Sequence, residues 1–235
     1  MQLYSHNKNK LVSIDKNSFK FEKEIQSLVE GNLDTLFNLE FVCTEFTIGD
    51  FRLDTLAYDV QNNSFVIIEY KRGSSYSVVD QGYSYLSVML NNKADFILEY
   101  NEKSEKNLRR NDVDWTSSRV VFVSPSFNSY QLNSVNFKDV PFELWEIKKF
   151  DNNLVAVEQC KSSSKESIDK LTKNGSQNDI TKVTSEVKVY AEDDIVEKAN
   201  KTIKQIWLEL REKISEYPDS SFGITKAYIS WKKDN

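Results

Sequence analysis

The chain has 235 residues and a net charge of −5, which argues against a constitutive basic coat for nucleic acid but leaves room for a local basic groove beside a carboxylate site. Its one histidine, His6, lies in a polar N-terminal stretch, and its two cysteines, Cys43 and Cys160, are far apart, so a Ser-His-Asp triad, a Cys-His pair and a thiolate zinc site are all excluded. No apolar run is long enough for a bilayer and MQLYSHNKNKLVS lacks a secretory apolar core, so the expected setting is cytoplasmic, with no membrane partner.

Residues 19–30 place Phe21, Ile25 and Leu28 at helical spacing and predict a first helix closed by Gly31. FVCTEFTI, FRLDTLAYD and SFVIIEYKR follow, each short and rich in β-branched and aromatic residues, with turns at Gly49-Asp50 and at QNN. The run Phe65-Val66-Ile67-Ile68 has no alternation and predicts a central strand covered on both faces. After Gly73, Val78, Gly82, Tyr85, Leu86 and Met89 mark a second helix. ADFILEY and SRVVFVSP are expected to be further buried strands, YQLNSVNF a short helix, and PFELWEIKKF with NNLVAVEQ a late hairpin turning at Asn152-Asn153. The fold class expected is therefore α/β, a mixed central sheet flanked by helices.

Three regions are expected: a domain over residues 1–160, a Ser/Lys-rich linker over 161–190 too poor in apolar residues to order itself, and a C-terminal appendage over 191–235. In the appendage one long helix is expected from Asp193 or Asp194, with Ile195, Ala199, Ile203, Ile206, Leu210 and Ile214 as its apolar stripe, before a strand at TKAYISW. One helix and one strand cannot close a core, so this piece is expected to pack on the first domain, pair with another chain or be truncated.

The stretch RLDTLAYDVQNNSFVIIEYKRG carries the chemistry. A strand period of two puts Glu69 and Lys71 on one face, and a tight hairpin sets Asp54 beside them, near residue 69 or 70. Asp54 and Glu69 offer the hard oxygen ligands that suit Mg²⁺ (or Mn²⁺), which takes one or two carboxylates plus substrate phosphate. Lys71 can orient or deprotonate an attacking water or stabilise the charge of the transition state. An isolated carboxylate at Glu69, after four apolar residues, would be costly, and either a cation or a plain salt bridge to Lys71 offsets that cost.

Asp54, the fifteen-residue step to Glu69, and Lys71 resemble the signature of the PD-(D/E)xK (restriction-endonuclease-like) nuclease superfamily, although Leu53 stands where that pattern has proline. Gln81 and Tyr85 look like the QxxxY element of its recombination-nuclease branch, and Glu22 resembles the extra acidic residue of some branches, preferred here over Glu24. Residues 19–100 are similar to an uncharacterised bacterial and archaeal family of this superfamily, some of whose members are catalogued as predicted transport proteins. IWLELREKISEYP…TKAYISWK looks like the opening of a small, longer domain often fused to such nucleases.

The resemblance implies a metal-dependent nuclease acting by in-line attack of activated water on a phosphodiester, with DNA as substrate in restriction, repair or defence. It implies catalytic Asp54, Glu69, Lys71, Glu22 and Gln81, with Asp54 and Glu69 on the metal and with Arg52, Arg72 and Tyr85 toward nucleic acid. Homodimerisation stays open. The alternative is a nuclease fold that binds nucleic acid or a protein without cutting, which the acidic net charge favours.

Overall fold

In the computed structural model, residues 1–73, 77–137, 139–161, 164, 183–217 and 220–233 are described below. They fall into two compact units, Met1–Val187 and Lys188–Asn235.

The first unit opens with a hairpin of β1 (Leu3–Asn7) and β2 (Lys10–Ile14), joined through Lys8 and Asn9, both at positive φ. Such a pair of left-handed residues matches the right-handed twist of the flanking strands. The sequence reading had no place for this hairpin, because almost every residue in it is exposed and no buried face imposes an alternating pattern. A short β3 (Lys16–Asn17) leads to α1 (Glu22–Glu30) and α2 (Leu33–Phe37), then to β4 (Glu40–Ile48), β5 (Phe51–Asp59) and β6 (Ser64–Tyr70). The first helix does end at Gly31, in right-handed geometry; the left-handed cap is Asn38, after α2. Next come α3 (Val78–Asn91), α4 (Lys93–Ser104), β7 (Arg119–Ser124), α5 (Ser129–Ser134), β8 (Phe142–Phe150) and β9 (Val155–Gln159).

The strands β3 to β9 form one mixed sheet of order β3-β8-β7-β6-β5-β4, with β9 also on β8. Neighbours β6, β7 and β8 run parallel, while β4, β5 and β6 form an antiparallel meander. Every residue of β6 is buried because the strand alternates between two cores. Phe65 and Ile67 join Leu56, Leu86, Met89 and Phe96 under α3 and α4. Val66, Ile68 and Tyr70 join Ile25, Val29 and Leu33 under α1 and α2. At about 1.5–3 kcal/mol for each fully buried large apolar side chain, these two layers fix the register of β6 and hence the positions of Glu69 and Lys71 at its end.

ADFILEY is helical, not a strand. Phe96 and Tyr100 are buried at a spacing of four, while Leu98, which strand alternation would bury with them, is 57% exposed. The apolar run was too short to separate the two periods. The late hairpin does turn at Asn152 and Asn153, both at positive φ. Of the expected linker, residues 162–163 and 165–182 lie outside the described residues; Val183 and Val187 are buried in the core beneath α3 and α4.

In the second unit the expected long helix is two: α6 (Glu192–Val196) and α7 (Lys201–Ser215). Asn200 breaks it by accepting the Ile203 amide at 3.0 Å as the cap of α7, while Asp194 caps α6 by accepting the Ala191 amide at 2.7 Å. A hairpin, β10 (Ser220–Ile224) and β11 (Ile229–Lys233), stands where a single strand was expected. Trp207 is a packing residue, donating to Glu192 Oε1 at 2.8 Å and meeting Phe222 edge-on. Among the described residues no helix is long and apolar enough to cross a membrane.

Candidate active site

Paired residues Thr55 and Ile68 set the register of the β5–β6 meander, so Asp54 lies opposite Glu69. The Tyr70 amide donates to Asp54 Oδ2 at 3.0 Å, across the two strands. Lys71 continues the strand one residue further, its own amide donating to Val123 O at 2.9 Å. The trio is therefore held by main-chain geometry at the C-terminal end of β6.

Glu69 is 4% exposed. Its Oε1 accepts from Lys71 Nζ at 2.6 Å and from Gln81 Nε2 at 2.7 Å. Gln81 spends its other hydrogen on the Tyr85 hydroxyl, 2.8 Å away and one turn along α3. The second oxygen, Glu69 Oε2, is buried without a hydrogen-bond partner. A buried carboxylate oxygen left bare is costly, and it sits beside a second carboxylate.

Burial, and then the charge of Glu69, push the Asp54 carboxyl up from 3.8 to about 6; the Tyr70 amide and Lys71 pull it back, and Glu22 pushes it further up. Burial and the Glu69 charge also raise the Tyr85 phenol, which stays a neutral hydroxyl. Two carboxylates drawing on one lysine make a site short of positive charge. Among the described residues no group of three acidic, His or Cys side chains forms a ready-made cage. The hard oxygen donors of Asp54 and the bare Glu69 Oε2 nonetheless fit a Mg²⁺-type ion, which draws its remaining ligands from water and phosphate.

The other expected residues arrive unequally. Glu22, at the start of α1, accepts the Arg72 amide at 2.8 Å and adds its charge beside Asp54, whereas Glu24 turns back to cap the helix by accepting the Lys20 amide at 2.8 Å. Tyr85 is 7% exposed and holds Gln81, so it braces the site rather than offering a surface for phosphate. Arg52 is exposed two residues before Asp54 on β5. Arg72 donates through Nη1 to Lys20 O and lines a recess of about 330 Å³ with Lys16, Lys148 and Lys149. Lys148 is committed to Glu146, while Lys16 and Lys149 are exposed. These three lysines, far from the motif in sequence, were missed; the pairing of β8 with β7 and of β3 with β8 brings them there.

Sequence reading also passed over the polar residues behind Asp54. Gln26, one turn beyond Glu22 on α1, is 6% exposed and donates to the Asp54 carbonyl at 3.0 Å. A polar residue beside Ile25 on the buried face of α1 was the available signal.

No family model matches the sequence. Solved structures resemble the chain only remotely. A complex of EndoMS with double-stranded DNA is 18% identical over 62% of this chain and 64% of that one, with a TM-score of 0.36. A repair endonuclease from Pyrococcus abyssi is 17% identical over 52% and 45% of the two chains, at 0.31. Pyrococcus furiosus SfsA with Ca²⁺ is 10% identical over 63% and 75%, at 0.30. The chain thus spans less than two thirds of the first two. An uncharacterized protein of Haemophilus influenzae is 43% identical over 235 residues, which is 100% of this chain and 78% of that protein. Identity sustained from end to end at that level makes this chain a member of the same protein family as the Haemophilus influenzae protein.

Proposed function

We propose that the chain is a divalent-cation-dependent nuclease that hydrolyses phosphodiester bonds in DNA. The observation that carries the reading is Glu69, a buried carboxylate with one oxygen shared between Lys71 and Gln81 and the other bare, opposite Asp54. A Mg²⁺ or Mn²⁺ ion, held by Asp54 and Glu69, would supply Lewis acidity and acidify water there.

The chain's own residues have distinct parts. Lys71 places an ammonium beside the carboxylates, where it orients the attacking water and offsets charge developing on the phosphoryl oxygens. Gln81 fixes the rotamer of Glu69, and Tyr85 fixes Gln81. Glu22 ties the end of β6 to α1 through the Arg72 amide. Arg72, Lys16 and Lys149 line a recess at the same end of the sheet, suited to a phosphate of the bound strand.

Labelled single-stranded, duplex and branched DNA, incubated with Mg²⁺ or Mn²⁺, tests the reading. Cleavage that disappears in Asp54→Asn and Lys71→Ala supports it. Cleavage unchanged in both, or none under any condition, overturns it. DNA binding without cleavage establishes instead the binding-only module that the net charge of −5 favours.

A further inference from the structure

Behind the motif, on the opposite face of the sheet, the buried side chains of Gln26, Thr55 and Tyr70 meet half-buried Glu30 and exposed Thr44 at the margin of an otherwise apolar core. Thr55 and Tyr70 point away from the Glu69 side, into the layer under α1. Thr55 Oγ1 donates to Glu30 Oε1 at 2.7 Å and lies 3.1 Å from Tyr70 Oη. A threonine hydroxyl has a single hydrogen, so with that hydrogen on Glu30, Tyr70 is the donor to Thr55. Gln26 Nε2 donates to the same Glu30 Oε1 at 2.9 Å, to Thr44 Oγ1 at 2.9 Å and to Asp54 O at 3.0 Å. Its two hydrogens are shared among three acceptors.

The chain of bonds closes on itself. It runs from the Tyr70 hydroxyl through Thr55, Glu30 and Gln26 to the Asp54 carbonyl, and returns from the Asp54 carboxylate to the Tyr70 amide. Asp54 is therefore gripped at both its main chain and its side chain by one ring of partners. The ring centres on Glu30, the last residue of α1, where the helix dipole disfavours a carboxylate. Stability alone would place an acid elsewhere. Burial of Thr55 (0% exposed) and Tyr70 (1% exposed) keeps water from that arm of the ring, so removing the Thr55 hydroxyl leaves the Tyr70 hydroxyl without its acceptor.

We propose that Gln26, Glu30, Thr55 and Tyr70 are positioning residues that hold the Asp54 carboxylate in the geometry for its cation, acting through the sheet from the face opposite the site. The assignment rests on Asp54 being a metal ligand, as in the reading above. Partners that orient a ligand without touching the metal typically change its affinity by about 10–100-fold.

The test uses the full chain and Mn²⁺ as the probe. Titration calorimetry measures its affinity, DNA cleavage is split into kcat and KM, and thermal melting reports stability, for Thr55→Val, Thr55→Ser and Glu30→Gln. Thr55→Val is near-isosteric and Thr55→Ser keeps the hydroxyl. The expected result is Mn²⁺ affinity about tenfold weaker in Thr55→Val and Glu30→Gln, with a parallel fall in kcat, unchanged KM and recovery in Thr55→Ser. Variants that melt lower but bind Mn²⁺ and turn over like wild type make the ring a structural brace and overturn the proposal. Should Thr55→Val not fold, Glu30→Gln decides. Wild-type protein that binds Mn²⁺ through Asp54 yet cuts no DNA removes the nuclease reading and leaves the positioning role standing. Mn²⁺ binding unaffected by Asp54→Asn, or absent, overturns both.

Discussion

The Tyr70 amide and the Asp54 carboxylate are joined across two strands at 3.0 Å, so the residue between Glu69 and Lys71 holds the third member of the trio. Tyr70 carries no charge and faces the other core, yet its main chain fixes the carboxylate facing Glu69. One strand end thus supplies an acid, an ammonium and an amide from three consecutive residues, and the pleat sends them where each is used.

The first prediction follows from the electrostatics of Asp54. Its carboxyl is raised from 3.8 to about 6, chiefly by burial and then by Glu69. Between those values the folded, metal-free protein keeps a proton that the unfolded chain has released. Stability therefore falls as pH rises through this window, and the loss is complete above about 6. In EDTA, Asp54→Asn should be more stable than wild type at pH 7.5, by on the order of 2 kcal/mol, and the advantage should vanish near pH 4. Mn²⁺ should raise the melting temperature of wild type and leave Asp54→Asn unmoved. Identical pH profiles for the two proteins would refute this.

Lys71 and Glu69 form a buried pair at 2.6 Å, with side chains 11% and 5% exposed. Removing only the lysine leaves a buried carboxylate facing a second one. Lys71→Ala should cost about 3 kcal/mol in urea denaturation without metal. The double variant Glu69→Gln/Lys71→Ala should recover much of that loss while remaining inactive. A double variant no more stable than Lys71→Ala would mean the cost came from lost packing, not from charge.

How far the sequence could be read depends on where each partner lies. The end of β6 was legible because Phe65 to Ile68 is an unbroken apolar run and because a period of two places Glu69 and Lys71 together. Asp54 followed from the short turn at QNN. Gln81 and Tyr85 were legible as a helical spacing of four, although burial turned Tyr85 from a phosphate contact into a brace. The ring of Gln26, Glu30, Thr55 and Tyr70 was not legible, since Glu30 and Thr55 stand 25 residues apart and each alone is an ordinary polar residue. The same holds for α4, where Phe96 and Tyr100 satisfy both periods and only the exposure of Leu98 decides. Asn200 breaks the C-terminal helix by a side-chain bond that competes with the helix itself.

The recess beside Arg72 makes a prediction about binding. Lys16 and Lys149 line it and are exposed in a protein of net charge −5. In an Asp54→Asn background, Lys16→Gln/Lys149→Gln should weaken binding of a fluorescent oligonucleotide about tenfold and flatten its log–log salt dependence by roughly 1–2. The exposed pair Lys10→Gln/Lys198→Gln removes the same charge elsewhere and should change little. Equal losses in the two double variants would reduce the effect to net charge.

Gly82 lies directly after Gln81 in α3 and faces β8. A Cβ there would come within 2.5 Å of the Phe142 ring, which is itself held edge-on by Tyr83 and Phe122. The ring cannot swing clear, so the helix must move instead. Gly82→Ala should destabilise by roughly 1–3 kcal/mol in spite of alanine's better helix propensity. The displacement should also draw Gln81 away from Glu69 Oε1, now 2.7 Å distant. Cleavage should fall more than the melting temperature alone accounts for, and Phe142→Leu, which shortens the opposing side chain, should restore both in the Gly82→Ala background. Full activity in Gly82→Ala, with melting lowered, would mean that the position of Gln81 is not critical to turnover.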